Sequence, residues 1–175
     1  MDKLLDFLDG WIERNGTLNS SDTDTLKKFM TGLGSEIDSL SVSPPAGSKR
    51  LILYGGWNGD VPMWQIAESA ANSGQGYYYI SQTEAGSVLN DDAVKAKINE
   101  ICDYDSDLYD KIFGNPVNGT RNAYVVDGKL SINDRVSKRL AQNASGDVTI
   151  WAPDCPTNKV LSDTELRSVL TNAIW

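Results

Sequence analysis

The 175-residue chain contains no histidine. That absence excludes Ser-His-Asp and Cys-His nucleophile systems, HExxH zinc sites and any step in which imidazole carries a proton near neutral pH. Cysteine is scarce as well. Cys102 and Cys155 fit either one disulfide or two unlinked thiols, and without a CxxC spacing no zinc or redox motif is present. No metal site is therefore expected. Long apolar runs are missing too, and none approaches the ~20 residues that cross a bilayer. The opening MDKLLDFLDGWIERNG is interrupted by acids where a secretory signal has a basic start and an apolar stretch. Neither a signal peptide nor a transmembrane segment is expected, and no membrane partner. Positive charge is in short supply: 16 Lys and Arg face 24 Asp and Glu, for a net charge of −8. The densest basic group, Arg135, Lys138 and Arg139, sits at helical spacing beside acids and reads as a solvated face. Nucleic acid, whose phosphates are held by clustered Lys and Arg, is not an expected partner.

What remains is an ordinary globular composition, 40% hydrophobic and 23% charged, in a chain long enough to bury a core. Near the N-terminus, Leu4, Leu5, Leu8, Trp11 and Ile12 share one helical face. A second helix, capped by Ser20 or Ser21, turns Leu26, Phe29, Met30, Leu33 and Ile37 inward. The prolines and small polar residues of SVSPPAGSKR cannot sustain a helix and mark a linker. From there strands and helices alternate. LILY is a buried strand, and VPMWQIAESAANS is a helix with Trp64, Ala67, Ala70 and Ala71 on its packed side. GYYYIS is a second strand, AVKAKINEIC a helix, and residues 122–132 a small hairpin around Asp127-Gly128. NDRVSKRLAQNASG is a helix stopped by Gly146, DVTIW a strand, and the last helix starts at Ser162. The expected organisation is a helical segment over 1–41, a Pro/Gly/Ser linker over 42–50 and an α/β domain over 51–175. The fold class is α/β, a helical N-terminal segment plus a small, mainly parallel sheet flanked by helices.

Three stretches are candidates for chemistry. LILYGGWNGD runs from a strand into glycines but lacks the lysine of a P-loop and the GxGxxG of a dinucleotide turn. Glycine's freedom of φ explains it as a tight turn. Trp57 at its tip either packs on the N-terminal helices or offers a face to something flat. In SDTEL, Ser162 and Glu165 match an S-x-x-E capping box, and the same carboxylate lies near strand ends, where α/β folds bind ligands. Ser137 on its helix, and Thr83 with Glu84 in SQTEAG, read as a small polar residue and a helix start.

Taken in order, these pieces resemble one family. The run LYGGW…IAESAANSG…YYYISQTEAGSVL is similar to the first half of the ADP-ribosyl cyclase-like NAD glycohydrolases, which include animal ADP-ribosyl cyclases and bacterial NADase toxin domains. There a strand ends in an aromatic–Ser–Gly turn, an alanine-rich helix follows, and the next strand ends in a T-L-E-x-T-x-x-G-type motif. The run RVSKRLAQNASGDVTIW…VLSDTELRSVL resembles the second half, in which a helix–strand unit precedes a glutamate in an E-L-x-x-L setting. The resemblance covers residues 50 to 171. The sequence departs from the pattern at Tyr54-Gly55-Gly56, and at Ser81-Gln82-Thr83, where an acid is replaced. Asn133 also stands near the place of a tryptophan that lines the nicotinamide pocket.

The resemblance implies an ADP-ribosyl cyclase-like fold and cleavage of the nicotinamide–ribose bond of NAD, with hydrolysis and cyclisation both open. NAD is then a substrate, and no cofactor is implied. Glu165 is the implied catalytic carboxylate and Trp57 the nicotinamide platform. Tyr54, Gly55 and Gly56 form a wall against phosphate or ribose, Thr83 and Ser137 are polar contacts, and Trp151 is a further aromatic. This chemistry needs no histidine, because nicotinamide departs from its cationic form as a neutral molecule. A carboxylate that stabilises an oxocarbenium-like ribose is enough. An enzyme that depletes NAD harms its producer, which implies either an immunity or inhibitor protein or tight control, and either cytoplasmic action or delivery into a target cell. Two further readings are an inactive module that binds NAD or a related nucleotide, and a non-catalytic interaction domain.

Overall fold

The structure, a computed structural model, describes residues 1–117, 120–121, 128–144, 146–153 and 165–172. These group into two compact units. One comprises Met1–Ser41 with Ser87–Arg135, the other Val42–Gly86 with Val136–Trp175. The expected division at residue 41 coincides with a boundary. Residues 87–135, expected within a single domain over 51–175, group instead with the N-terminal helices.

In the first unit, α1 (Asp2–Asn15) buries Leu4, Leu8 and Trp11, with Leu5 and Ile12 half-buried. α2 (Thr23–Ser39) buries Leu26, Phe29, Met30, Leu33 and Ile37, the face its spacing predicts. Its cap differs from expectation. Asp22 accepts the Thr25 amide at 3.0 Å, while Ser21 donates through its amide and hydroxyl to the Asn19 side chain. The serines thus belong to a turn one step earlier, which leaves the cap to the carboxylate. Trp11 meets Phe29 edge-on at 5.0 Å.

α5 (Asp92–Ile101) begins at the Asp91 cap and is tied to the N-terminal region by Lys97 to Asp9 at 2.7 Å and Leu18 N–H to the Ile101 carbonyl. These contacts account for the grouping of 87–135 with residues 1–41. α6 (Ser106–Phe113), absent from the sequence expectation, starts at the Asp105 cap and ends at Gly114 in the left-handed region. A short antiparallel pair, β5 (Pro116–Val117) and β6 (Thr120–Arg121), follows. The hairpin expected over 122–132 falls largely outside the described residues, and residue 132 already begins a helix, α7 (Ile132–Gln142).

The second unit is built on a three-stranded parallel sheet in the order β4-β1-β7. β1 (Arg50–Tyr54) is central, with Leu51, Ile52 and Leu53 all buried, as a strand covered on both faces requires. β7 (Asp147–Trp151) runs beside it from Arg50↔Asp147 to Tyr54↔Trp151. β4 is shorter than GYYYIS suggests. Only Tyr77–Tyr78 pair with β1, and after Tyr79 the chain closes into a 3₁₀ turn over Ile80–Gln82 that leads into α4 (Glu84–Ser87).

Between β1 and β4 lie a two-residue hairpin, β2 (Trp57–Asn58) with β3 (Val61–Pro62), and α3 (Met63–Ala71). α3 buries Met63 and Ala67. Trp64, expected on the packed side, is 47% exposed, because the helix phase that turns 63 and 67 inward rotates 64 by about 100° towards solvent. α7 ends at Gln142 rather than at Gly146. The last helix described, α8, covers Leu166–Asn172; its expected start at Ser162 lies outside the described residues. The described residues thus form an α/β fold of eight α-helices and a small parallel sheet flanked by helices. Among them, no helix is long and apolar enough to cross a membrane.

Candidate functional site

The chain leaves β1 for β4 on one side and later returns to β7 on the other. The carboxyl ends of β1 and β7 therefore form a topological switch point, the place where open α/β sheets bind ligands. Tyr54 and Trp151 are the last residues of the two strands and stand in register. One residue on, the Gly55 amide donates to the Trp151 carbonyl at 3.1 Å. The Met63 amide donates to the Gly56 carbonyl at 3.1 Å, which closes the β2–β3 hairpin on itself. Gly56 has φ 79° and Gly59 φ 60°, values that residues with a Cβ rarely adopt. The loop that reads as a strand-to-helix turn is thus a small hairpin. It holds Trp57 with 56% of its surface exposed.

Glu165 stands immediately before α8 and is 6% exposed. It lies close enough to Tyr54 for its charge to act on the phenol. Burial first, then Glu165, Tyr79 and Glu68, push Tyr54 above the ordinary tyrosine range. The Tyr54 and Tyr79 rings are 6.1 Å apart and tilted by 57°. Tyr79 is raised as well, by burial and then by Glu68, to whose Oε1 its hydroxyl donates at 3.2 Å. Both phenols consequently keep their protons through the neutral range, and Tyr79 serves as a donor to Glu68. The arrangement is a buried carboxylate, two neutral phenols and a second carboxylate, beside a glycine turn with an exposed tryptophan. It suits stabilisation of a developing positive charge, and it contains no imidazole or thiol.

Of the residues expected at the site, the fold gathers Tyr54, Gly55, Gly56, Trp57 and the Trp151 backbone at one end of the sheet, and the charge of Glu165 reaches Tyr54. The Trp151 ring, however, turns to Tyr77 at 6.0 Å, whose own ring lies under Arg50. Thr83 is buried and fully engaged in local structure. Its hydroxyl donates to the Ile80 carbonyl at 2.8 Å and accepts the Gly86 amide at 3.0 Å, so it acts as the cap of α4. Ser137 is buried on α7. Glu68 and Tyr79 escaped the sequence reading. The only trace of Tyr79 was a run of three tyrosines, and nothing local marks Glu68, because their pairing joins a helix to a strand end.

Cys102 is a buried free thiol, pushed up from 9.0 to about 12 by burial and then by Asp105. Cys155 lies outside the described residues. No group of three or more His, Cys, Asp or Glu that could hold a metal is found among the described residues. No family model, curated protein or solved structure matches this chain.

Proposed function

We propose that this protein cleaves the nicotinamide–ribose bond of NAD, as a glycohydrolase or cyclase of the ADP-ribosyl cyclase-like kind. The observation that carries this reading is the buried Glu165 carboxylate acting on the Tyr54 phenol at the switch point between β1 and β7. A carboxylate held away from water interacts strongly with positive charge that develops beside it, and the ribose C1′ develops such charge as nicotinamide departs. The departing group needs no acid, which fits a chain without histidine. The exposed face of Trp57 suits a pyridinium ring, an attraction of ~0.5–2 kcal/mol. Gly55 and Gly56 let a sugar or phosphate approach the backbone closely, with no demand for basic side chains.

On this reading NAD is the substrate and no cofactor is required. An immunity or inhibitor protein is a partner, and the enzyme acts in the cytoplasm or after delivery into a target cell. The exposure of Trp57, Val61 and Trp64 favours one second reading, a module that binds a flat ligand without turnover.

The deciding experiment incubates the purified protein with NAD and separates nicotinamide, ADP-ribose and cyclic ADP-ribose by chromatography, with Glu165→Gln alongside. Nicotinamide release that is lost in the variant supports the proposal, and the second product peak tells hydrolysis from cyclisation. A folded protein that releases none, or a variant as active as the parent, defeats it.

A further inference from the structure

The site contains a second carboxylate, which arrives on a different element from Glu165. Glu68 lies on the exposed side of α3, and its Oε1 accepts from Tyr79 at 3.2 Å. Tyr79 is itself buried and packs 6.1 Å from Tyr54, so Glu68 is anchored to a buried ring. Glu68 and Glu165 both act on the Tyr54 phenol, which puts the two charges in one neighbourhood. Their environments differ: Glu165 is enclosed, while Glu68 is held at one oxygen and open to water.

Where two carboxylates flank a sugar whose glycosidic bond is breaking, one stabilises the cation and the other activates water. We infer that Glu68 is the base that accepts the proton of the attacking water, held in place by Tyr79; the inference rests on the NAD-cleaving reading above. In that step nicotinamide has left with the bonding electron pair of the C–N bond. A water lone pair forms the C1′–O bond, and the O–H bond that breaks leaves its proton on the Glu68 carboxylate, which returns it to solvent. Nothing is oxidised or reduced. Tyr79 touches Glu68 rather than substrate and is a positioning residue.

The test uses an acceptor with no proton to lose. A neutral pyridine such as 3-acetylpyridine attacks C1′ through its ring nitrogen, the reverse of nicotinamide departure, and so needs no base. NAD is supplied with 3-acetylpyridine to the parent, Glu68→Gln and Tyr79→Phe, and both ADP-ribose and the exchanged dinucleotide are measured. The expected result for Glu68→Gln is a loss of hydrolysis of about 100-fold, as for removal of a general base, with exchange essentially unchanged. Tyr79→Phe, which keeps the ring, shifts the ratio in the same direction by less.

An equal loss of both reactions, or hydrolysis unchanged in Glu68→Gln, overturns the inference and leaves NAD cleavage standing. A parent that cleaves no NAD overturns both. Should the parent accept no pyridine, azide decides, an anion that attacks C1′ without a proton to lose. Added azide restores nicotinamide release in Glu68→Ala towards the parental rate; a variant that azide leaves unchanged rejects the role.

Discussion

Gly55 donates its amide to the Trp151 carbonyl at 3.1 Å, one step beyond the last register pair of β1 and β7. That bond carries the ladder past the end of the strand, so the glycine turn is fixed to the sheet before the hairpin departs. The loop geometry is therefore a property of the sheet, while the side chain at its tip stays exposed.

Trp57→Ala should separate those two roles. The side chain is exposed, so thermal stability should change by less than about 0.5 kcal/mol. Loss of a cation–π platform worth ~0.5–2 kcal/mol should weaken NAD binding by about 2- to 30-fold. Titration of NAD into the Glu165→Gln background measures that weakening without turnover. Unchanged affinity would assign the tryptophan to some other surface.

Gly56→Ala should be costly in the opposite sense. A Cβ at φ 79° strains the backbone by about 1–2 kcal/mol, and the hairpin closed by Met63 N–H to Gly56 must distort. Urea unfolding should report that loss, together with a fall in activity larger than the fall in folded fraction.

Thr83 and Gly86 form a matched pair for deciding between cap and contact. Thr83→Val removes a hydroxyl used twice in local bonds and should cost about 1 kcal/mol, as lost caps do. Activity per folded molecule should be preserved. Gly86→Ala should be worse, because its Cβ would stand 1.7 Å from the Ile80 carbonyl oxygen; about 2–3 kcal/mol of overpacking is expected. A Thr83→Val protein of normal stability but raised KM would return Thr83 to the substrate.

Alkaline stability should show the buried thiol. Cys102 is raised in the folded state from 9.0 to about 12, so the folded protein holds this proton where the unfolded chain has lost it. The stabilisation is complete below pH 9 and declines as pH rises towards 12, with a slope approaching 1.4 kcal/mol per pH unit for one group. Tyr54, Tyr78, Tyr79 and Tyr109, all raised from 10.0, add to the decline at higher pH. Denaturant midpoints across pH 8 to 10 for the parent and Cys102→Ala should diverge above pH 9, with the parent steeper. Parallel curves would mean that the thiol titrates normally.

The parts legible in the sequence were those that local physics fixes. Period-3.6 spacing marked the buried faces of α1 and α2, and the unbroken LIL marked a strand covered on both sides. Competition between neighbouring polar groups was harder to read: Ser20, Ser21 and Asp22 are all good caps, and a turn centred on Asn19 decided among them. The phase of α3 depended on where the two-residue hairpin ended, which placed Met63 inward and Trp64 outward. Glu165 could be picked out because S-x-x-E at a helix start is a local pattern, and because SDTEL resembles a family's glutamate setting. The Glu68–Tyr79 hydrogen bond could not, since it exists only after β4 has docked beside β1 and α3 has closed over them. For the same reason nothing local assigned 87–135 to the N-terminal helices, a grouping that follows from α5 packing along α1 with Val94, Ile98 and Ile101 buried.

The sheet order β4-β1-β7 also sets a timetable for the ribosome. β1 gains its first neighbour when Tyr77–Tyr78 emerge, soon after it is made, but the partner that reaches its carboxyl end is Ile150–Trp151, almost a hundred residues later. Such distant pairing is slow to form. Until then Gly55 has no carbonyl to bind, and Glu165 has not been synthesised. The nascent chain therefore carries the tryptophan loop through most of translation without the carboxylate beside it. On the NAD-cleaving proposal, activity is therefore confined to chains in which residues 147–165 have been made and β7 has paired with β1.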